Sequence, residues 1–265
     1  MKAAILAVLW IFIHPAFAHS DNDFVNLNKS KDWQLSLSDS GTKNWQENWF
    51  LDGLIAQVEN TEQGMVFSAG PEAWNDAHHA VLWTKESFSG DIKIEYDFTK
   101  VDDEVEMVNI LYIQATGVKP KDKDIYAWRE QRQVPSMKSY FNNMKLLHIS
   151  YAAFKTRNPE GDVQADYVRV RTYPQDPIAG FDSMRVDPSF YRTNLFKTGK
   201  TYQITVIKTA DKLHFNVAGK GSEKTQQQLY SWDLTTQQAV NEGRVGLRHM
   251  YTRSSRYSNF KVFTQ

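Results

Sequence analysis

The 265-residue sequence contains no cysteine. Disulfides and a lipid anchor on an amino-terminal cysteine are therefore excluded, and stability has to come from packing alone. Charge of one sign is not in excess either: Lys and Arg together number 31, and Asp and Glu also number 31. With no net field, nothing recruits nucleic acid or an anionic membrane surface, so electrostatic recognition must be local. Long apolar runs are missing as well. The stretch from Ala3 to Ile13 falls far short of the roughly 20 residues a transmembrane helix requires, and nothing comparable follows it, so no membrane anchor is expected. Helical periodicity is nearly absent, and no two histidines stand at the i, i+2 strand spacing or the i, i+4 helix spacing that brings two imidazoles to one ion, so no metal site is expected.

What is present begins with a secretory pattern. Lys2 precedes the apolar run, and Pro15 then leads to Ala16 and Ala18 around Phe17, which predicts a signal peptide over residues 1–18 cleaved before His19 and a bacterial protein that is periplasmic or secreted. Residues 19–265 are expected to form one domain. Period-two alternation rich in β-branched and aromatic residues recurs over 77–84, 91–98, 106–115, 146–154, 166–173, 201–209, 212–219, 244–251 and 257–263. Only 126–133 and 231–240 suggest a turn or two of helix. Short strands without intervening helices predict an all-β, two-sheet antiparallel jelly-roll sandwich. Three long connections, 117–145, 155–165 and 174–200, are expected around a concave face. The first, carrying Trp128, Arg129, Arg132, Tyr140 and Phe141, is too aromatic for a solvated tether and reads as an ordered wall or lid.

The blocks AGPEAWNDAHHAVLWTKESFSGDIKIEYDF, VNILYIQATG, DIYAW, HISYAAF and DYVRVRTYP resemble, in composition and order, the YesU-like family of bacterial proteins of unknown function. The likeness runs from about residue 65 to 190. The later LHFNVAGK and GRVGLRHMYTRSSRYSNFKVF are similar to the closing strands of concanavalin A-like sandwiches. The resemblance implies a galectin-like or laminin-G-like jelly roll associated with the breakdown of pectin-type and other uronate-bearing polysaccharides. It allows a structural calcium ion and supplies no catalytic motif.

Strand alternation sorts the candidate site residues. In DYVRVRTY, Tyr167, Arg169, Arg171 and Tyr173 share one face while Val168 and Val170 take the other. Two arginines two positions apart lie about 7 Å from each other, which suits the carboxylates of an acidic sugar, since guanidinium forks grip carboxylate in bidentate geometry. The plainer reading pairs them with acids such as Glu95 and Asp97. In LLHISYAAF, His148, Ser150 and Ala152 share a face opposite Leu147, Ile149 and Tyr151. Tyr112 and Gln114 share a face with Ile110, His78 and His79 point opposite ways, and so do Arg248 and His249. Trp74 and Trp128 are candidate sugar platforms, whereas Trp83 reads as core.

Three chemistries fit these groups. A β-eliminating lyase neutralises a uronate carboxylate, removes the C5 proton and protonates the leaving oxygen. Arg169 and Arg171 with Gln114 would hold the carboxylate, His148 or His79 would be the base, and Tyr167, Tyr112 or Tyr140 the acid. A non-catalytic module would need only the arginines and aromatics, Tyr173, Trp74, Trp128 and Arg248 among them. A glycoside hydrolase would need facing carboxylates, for which Glu104 with Glu106 and Glu95 with Asp97 are the pairs that share a face. In each case the expected partner is an acidic polysaccharide or oligosaccharide.

Overall fold

The computed structural model describes residues 16–154, 166–221 and 227–265, with side chains from residue 22 onward. A helix α1 (Ala16–Lys29) comes first, and the expected cleavage point lies inside it. There follow β1 (Gln34–Asp39), β2 (Trp49–Asp52), β3 (Gln57–Thr61), β4 (Gly64–Ser68), β5 (Ala80–Thr84), β6 (Phe88–Ser89), β7 (Ile92–Lys100) and β8 (Met107–Gly117). After a second helix α2 (Met137–Asn143) come β9 (Met144–Phe154), β10 (Asp166–Tyr173), β11 (Arg185–Tyr191), β12 (Thr201–Lys208), β13 (Lys212–Gly219), β14 (Gln228–Asp233), β15 (Glu242–His249) and β16 (Ser254–Thr264). No described helix is long and apolar enough to cross a membrane.

The strands make two antiparallel sheets. The first runs β14-β13-β12-β7-β16-β4-β3, with β1 on β16; the second runs β11-β10-β9-β8-β15-β5-β2, with β6 on β15. Alternation decides what each face does. Ile94, Tyr96 and Phe98 of the first sheet meet Leu111, Ile113, Leu147, Ile149, Tyr151, Val168, Val170 and Leu247 of the second in the core between the sheets. Each fully buried side chain of this size contributes roughly 1.5–3 kcal/mol.

The second sheet is also covered on its other face. Residues 118–143 fold over it and bury Ile125, Trp128 and Tyr140 against Val81, Trp83, Ile110, Tyr112, Met144, Leu146 and Tyr173. The 117–145 segment is thus an ordered wall, as its aromatic content predicts. Inside it the turn expected over 126–133 narrows to a 3-10 turn at Arg129–Arg132, and α2 is an addition, N-capped by Ser136, whose hydroxyl accepts from the Ser139 N–H.

Other expectations are corrected. Residues 231–233 complete β14 instead of opening a helix, because Leu213 and Trp232 pair across β13–β14. The strand expected over 77–84 begins only at Ala80, after a 3-10 turn capped by Asn75. The 174–200 connection contains β11, which pairs with β10. The 155–165 connection lies outside the described residues.

Candidate functional site

On the loop-covered face of the second sheet, register brings the candidate residues into two rows across the strands. One reads Phe50, Trp83, Gly246, Tyr112, His148, Arg171, each directly opposite the next. The other reads Asp52, Val81, Arg248, Ile110, Ser150, Arg169. His148 and both arginines therefore share one face on adjacent strands.

The Phe50–Trp83 end of the rows is packed solid. Gly246 lacks a Cβ where one would meet the Trp83 ring at 2.5 Å, so the indole crosses β15 and stacks on Tyr112 with centroids 5.4 Å apart and planes 12° apart. Beside it the buried Asp52 carboxylate accepts from Arg132 Nε at 2.6 Å, Trp83 Nε1 at 2.8 Å and Tyr140 Oη at 2.8 Å. Burial pushes the Asp52 carboxyl upward, against the pull of Arg132 and of these hydrogen bonds. Tyr140 is thus part of the wall's anchor. Trp128 is turned inward with the Arg132 guanidinium 4.2 Å from its ring centroid and its Nε1 donating to the Asp122 carbonyl. Neither presents a free surface to a sugar.

His148 lies at the centre and is enclosed. Its Nδ1 is 2.8 Å from the Tyr173 hydroxyl and its Nε2 2.7 Å from the Ser150 hydroxyl, so both ring nitrogens are occupied. Burial first, then the cations Arg171, Arg248 and Arg169, hold its pKa well below the ordinary histidine value. The ring is neutral at physiological pH.

At the β10 end the face opens. Arg169 is half-buried; its Nε donates to Ser189 Oγ at 3.1 Å and its Nη2 to Tyr191 Oη at 2.9 Å, with the Tyr167 ring 4.6 Å away. Arg171 lies 4.0 Å from the ring of the exposed Phe181 and donates to the Phe181 carbonyl at 3.4 Å. Burial and the neighbouring Arg169 lower its pKa. Arg248, fully buried, donates through Nη2 to His79 Nδ1 at 3.1 Å and to the Pro135 carbonyl, with Cζ 4.6 Å from the Tyr140 ring centroid. Among the described residues no carboxylate lies within 4 Å of Arg169, Arg171 or Arg248. The pairing with Glu95 and Asp97 is ruled out by sheet: both point outward from β7 in the first sheet, Glu95 toward Lys93 and Asp97 toward Lys220 and Asn259. Asp102, not the nearby Glu104, takes Arg253 and Lys100.

Two further residues lie elsewhere than alternation predicts. A bulge in β8 between Ile113 and Thr116, with Gln114 at φ 52°, takes Gln114 away from Tyr112, and its amide donates to the carbonyls of Phe88 and Gly90. Trp74 stands at the far margin, 72% exposed, where its ring meets Tyr251 at 5.7 Å and Tyr251 stacks on His79 at 5.2 Å. Ser150 lies on the His148 face as alternation predicts, whereas Ser189, Tyr191 and Phe181 were missed as site neighbours. The alternation of Asp187, Ser189 and Tyr191 was the available signal, interrupted by Pro188. Among the described residues no group of three or more His, Asp or Glu could hold a metal ion.

The architecture has counterparts among solved structures. A protein of unknown function with galectin-like fold from Bacillus subtilis superposes with a TM-score of 0.62 at 17% identity, over 88% of this chain and 99% of that one. Lectin II from Ulex europaeus gives 0.55 at 8% identity, over 88% and 100%. The exoplasmic/lumenal domain of VIP36, in a Ca2+/Man3GlcNAc-bound form, gives 0.55 at 10% identity, over 88% and 91%. At such identities the likeness is one of fold, a lectin-type two-sheet jelly roll. Among curated proteins the sequence finds no match. A family profile described as a domain of unknown function (DUF1961) matches residues 39–262.

Proposed function

The chain belongs to the family of the domain of unknown function DUF1961, and on that footing we propose that it binds an acidic saccharide without turning it over, at the open β10 end of the second sheet. The observation that carries this is that Arg169 and Arg171 share one face of β10 with no carboxylate within 4 Å among the described residues. Clustered cations cost free energy unless an anion offsets them, and a planar guanidinium is the donor best matched to a sugar carboxylate. The exposed Tyr191 and Phe181 beside the arginines supply the aromatic surface on which sugar rings pack. The lectin-type fold shared with those neighbours supports this reading.

A lyase at the same place would need an imidazole free to accept the C5 proton. His148 has both nitrogens engaged, and His79 faces Arg248, so binding accounts for the geometry with fewer demands. The secretory pattern of residues 1–18 supports a periplasmic or secreted setting for this binding.

Titration of the protein with uronate polymers and with neutral polymers tests the reading. Retention on uronate polymers, with neither a new conjugated double bond in the ultraviolet nor new reducing ends, is the expected result. A rise in that absorbance would replace binding with β-elimination, and equal retention on neutral polymers would remove the arginines from the account.

A further inference from the structure

A third arginine stands at the open end. Arg185 begins β11 and lies directly opposite Arg171 across the β10–β11 ladder. Directly opposite residues of an antiparallel pair project from the same face, with Cβ atoms about 4.5–5.5 Å apart, and like charges so placed destabilise the pair. Arg169 is two positions along β10 from Arg171, about 7 Å away on that same face. The three side chains are thus rooted at the corners of a small triangle. β11 is the last strand on this side of the sheet, so the triangle sits at the sheet's edge, next to the exposed rings of Phe181 and Tyr191.

Arg185 differs from the other two in having an acidic neighbour. Its Nε approaches the Asp187 carboxylate at 3.2 Å, with side chains 47% and 71% exposed. An ion pair this open contributes little, because water and salt screen it. An incoming carboxylate can therefore take the place of Asp187 at small cost. Asp182, in the 3-10 turn Phe181–Met184 that leads into β11, is exposed as well. Three guanidinium groups thus meet two carboxylates that are already hydrated. One bound anion between Arg169 and Arg171 offsets that pair and leaves Arg185 directly across the ladder for a second.

Resting on the binding reading above, we infer that the site takes two adjacent acidic sugar residues, the first carboxylate at Arg169 and Arg171 and the second at Arg185, which exchanges Asp187 for the ligand. Arg185 is then the residue that sets a preference for consecutive uronates over an isolated one.

Calorimetric titration with digalacturonate, its two monomethyl esters and its neutral dimethyl ester tests this. The esters keep the sugar framework and delete one or both charges. Wild type should bind digalacturonate about three to ten times more tightly than either monoester, and the dimethyl ester least of all. In Arg185→Gln the ratio of digalacturonate to monoester affinity should fall to near one. Arg185→Lys keeps the charge without the planar fork and should restore part of the ratio, and Asp187→Asn, which removes the competing carboxylate, should raise it above that of wild type. Both substituted side chains are exposed, and circular dichroism verifies the fold. Equal binding of digalacturonate and the monoesters to wild type, or a ratio that Arg185→Gln leaves intact, overturns the inference and leaves the Arg169–Arg171 site standing. Dimethyl ester binding as tight as that of the acidic probes, or no binding of any acidic probe, overturns the arginine site and this inference with it.

Discussion

Arg171 and His148 face each other directly across β10 and β9, so a buried imidazole sits beside a guanidinium and none of the described carboxylates bridges the two. Burial favours the neutral ring, and a cation that close acts in the same direction.

Stability should therefore depend on pH in a defined window. His79 and His249 are pushed down to about 3, the first by burial and then Arg248, the second by burial and then Arg253, and His148 also lies well below its ordinary value. For a histidine whose folded pKa is depressed, the unfolded chain binds the proton first, so stability is fully present above the unfolded pKa of about 6.5 and is lost as pH falls below it. Three such groups cost up to roughly 4 kcal/mol per pH unit on the acid side. Urea unfolding at pH 7.5, 6 and 5 should show a plateau and then a steep decline, and a level profile would contradict the burial of these rings.

The wall over the sheet is held by a buried ion pair. Removing Asp52 leaves Arg132 without its partner, and Asp52→Ala should cost about 3–5 kcal/mol. Tyr140→Phe, which deletes one of the donors to that carboxylate, should cost about 1 kcal/mol. Chemical denaturation of the two variants measures both, and an Asp52→Ala variant as stable as wild type would show that the wall stands on its apolar contacts.

How far the sequence disclosed this arrangement depends on what each feature rests upon. The sandwich and the arginine face were legible because period-two alternation is a local property: Val168 and Val170 had to take the core, leaving Arg169 and Arg171 on the other side. Gln114 was misplaced because a bulge shifts the alternation and leaves no mark in residue type. Tyr140 was a candidate acid and Trp128 a candidate platform because aromatic residues in a long loop suit a sugar groove equally well. Only the tertiary position of Asp52, eighty residues before Arg132, turns them inward. β11 was hidden by Pro188, which an edge strand tolerates because the N–H it lacks would face solvent.

Gly246 offers a third test. A methyl group there would meet the Trp83 ring at 2.5 Å, so Gly246→Ala should force the indole off Tyr112 and destabilise by about 1–3 kcal/mol. Near-ultraviolet circular dichroism should weaken together with the loss of stability. An unchanged aromatic signal would mean that the stack forms without the space this glycine provides.

The arginine forks set the last expectation. Arg171 is almost enclosed while Arg169 is half-exposed, so a sugar carboxylate at Arg171 is the better shielded from water and salt. Arg171→Ala should weaken binding of a uronate oligosaccharide by about 2–4 kcal/mol, and Arg169→Ala by a smaller amount. Arg171→Lys keeps the charge but loses the planar two-pronged contact, and so should recover less than half of the lost affinity. Because neither arginine has a carboxylate partner among the described residues, removing one relieves repulsion instead of stranding an anion, and thermal stability should hold or rise slightly in both variants. Calorimetric titration alongside thermal melts separates these effects. Tight binding by Arg171→Ala, or a melting temperature that falls in step with its affinity, would show that this guanidinium supports the fold and leaves the sugar to other groups.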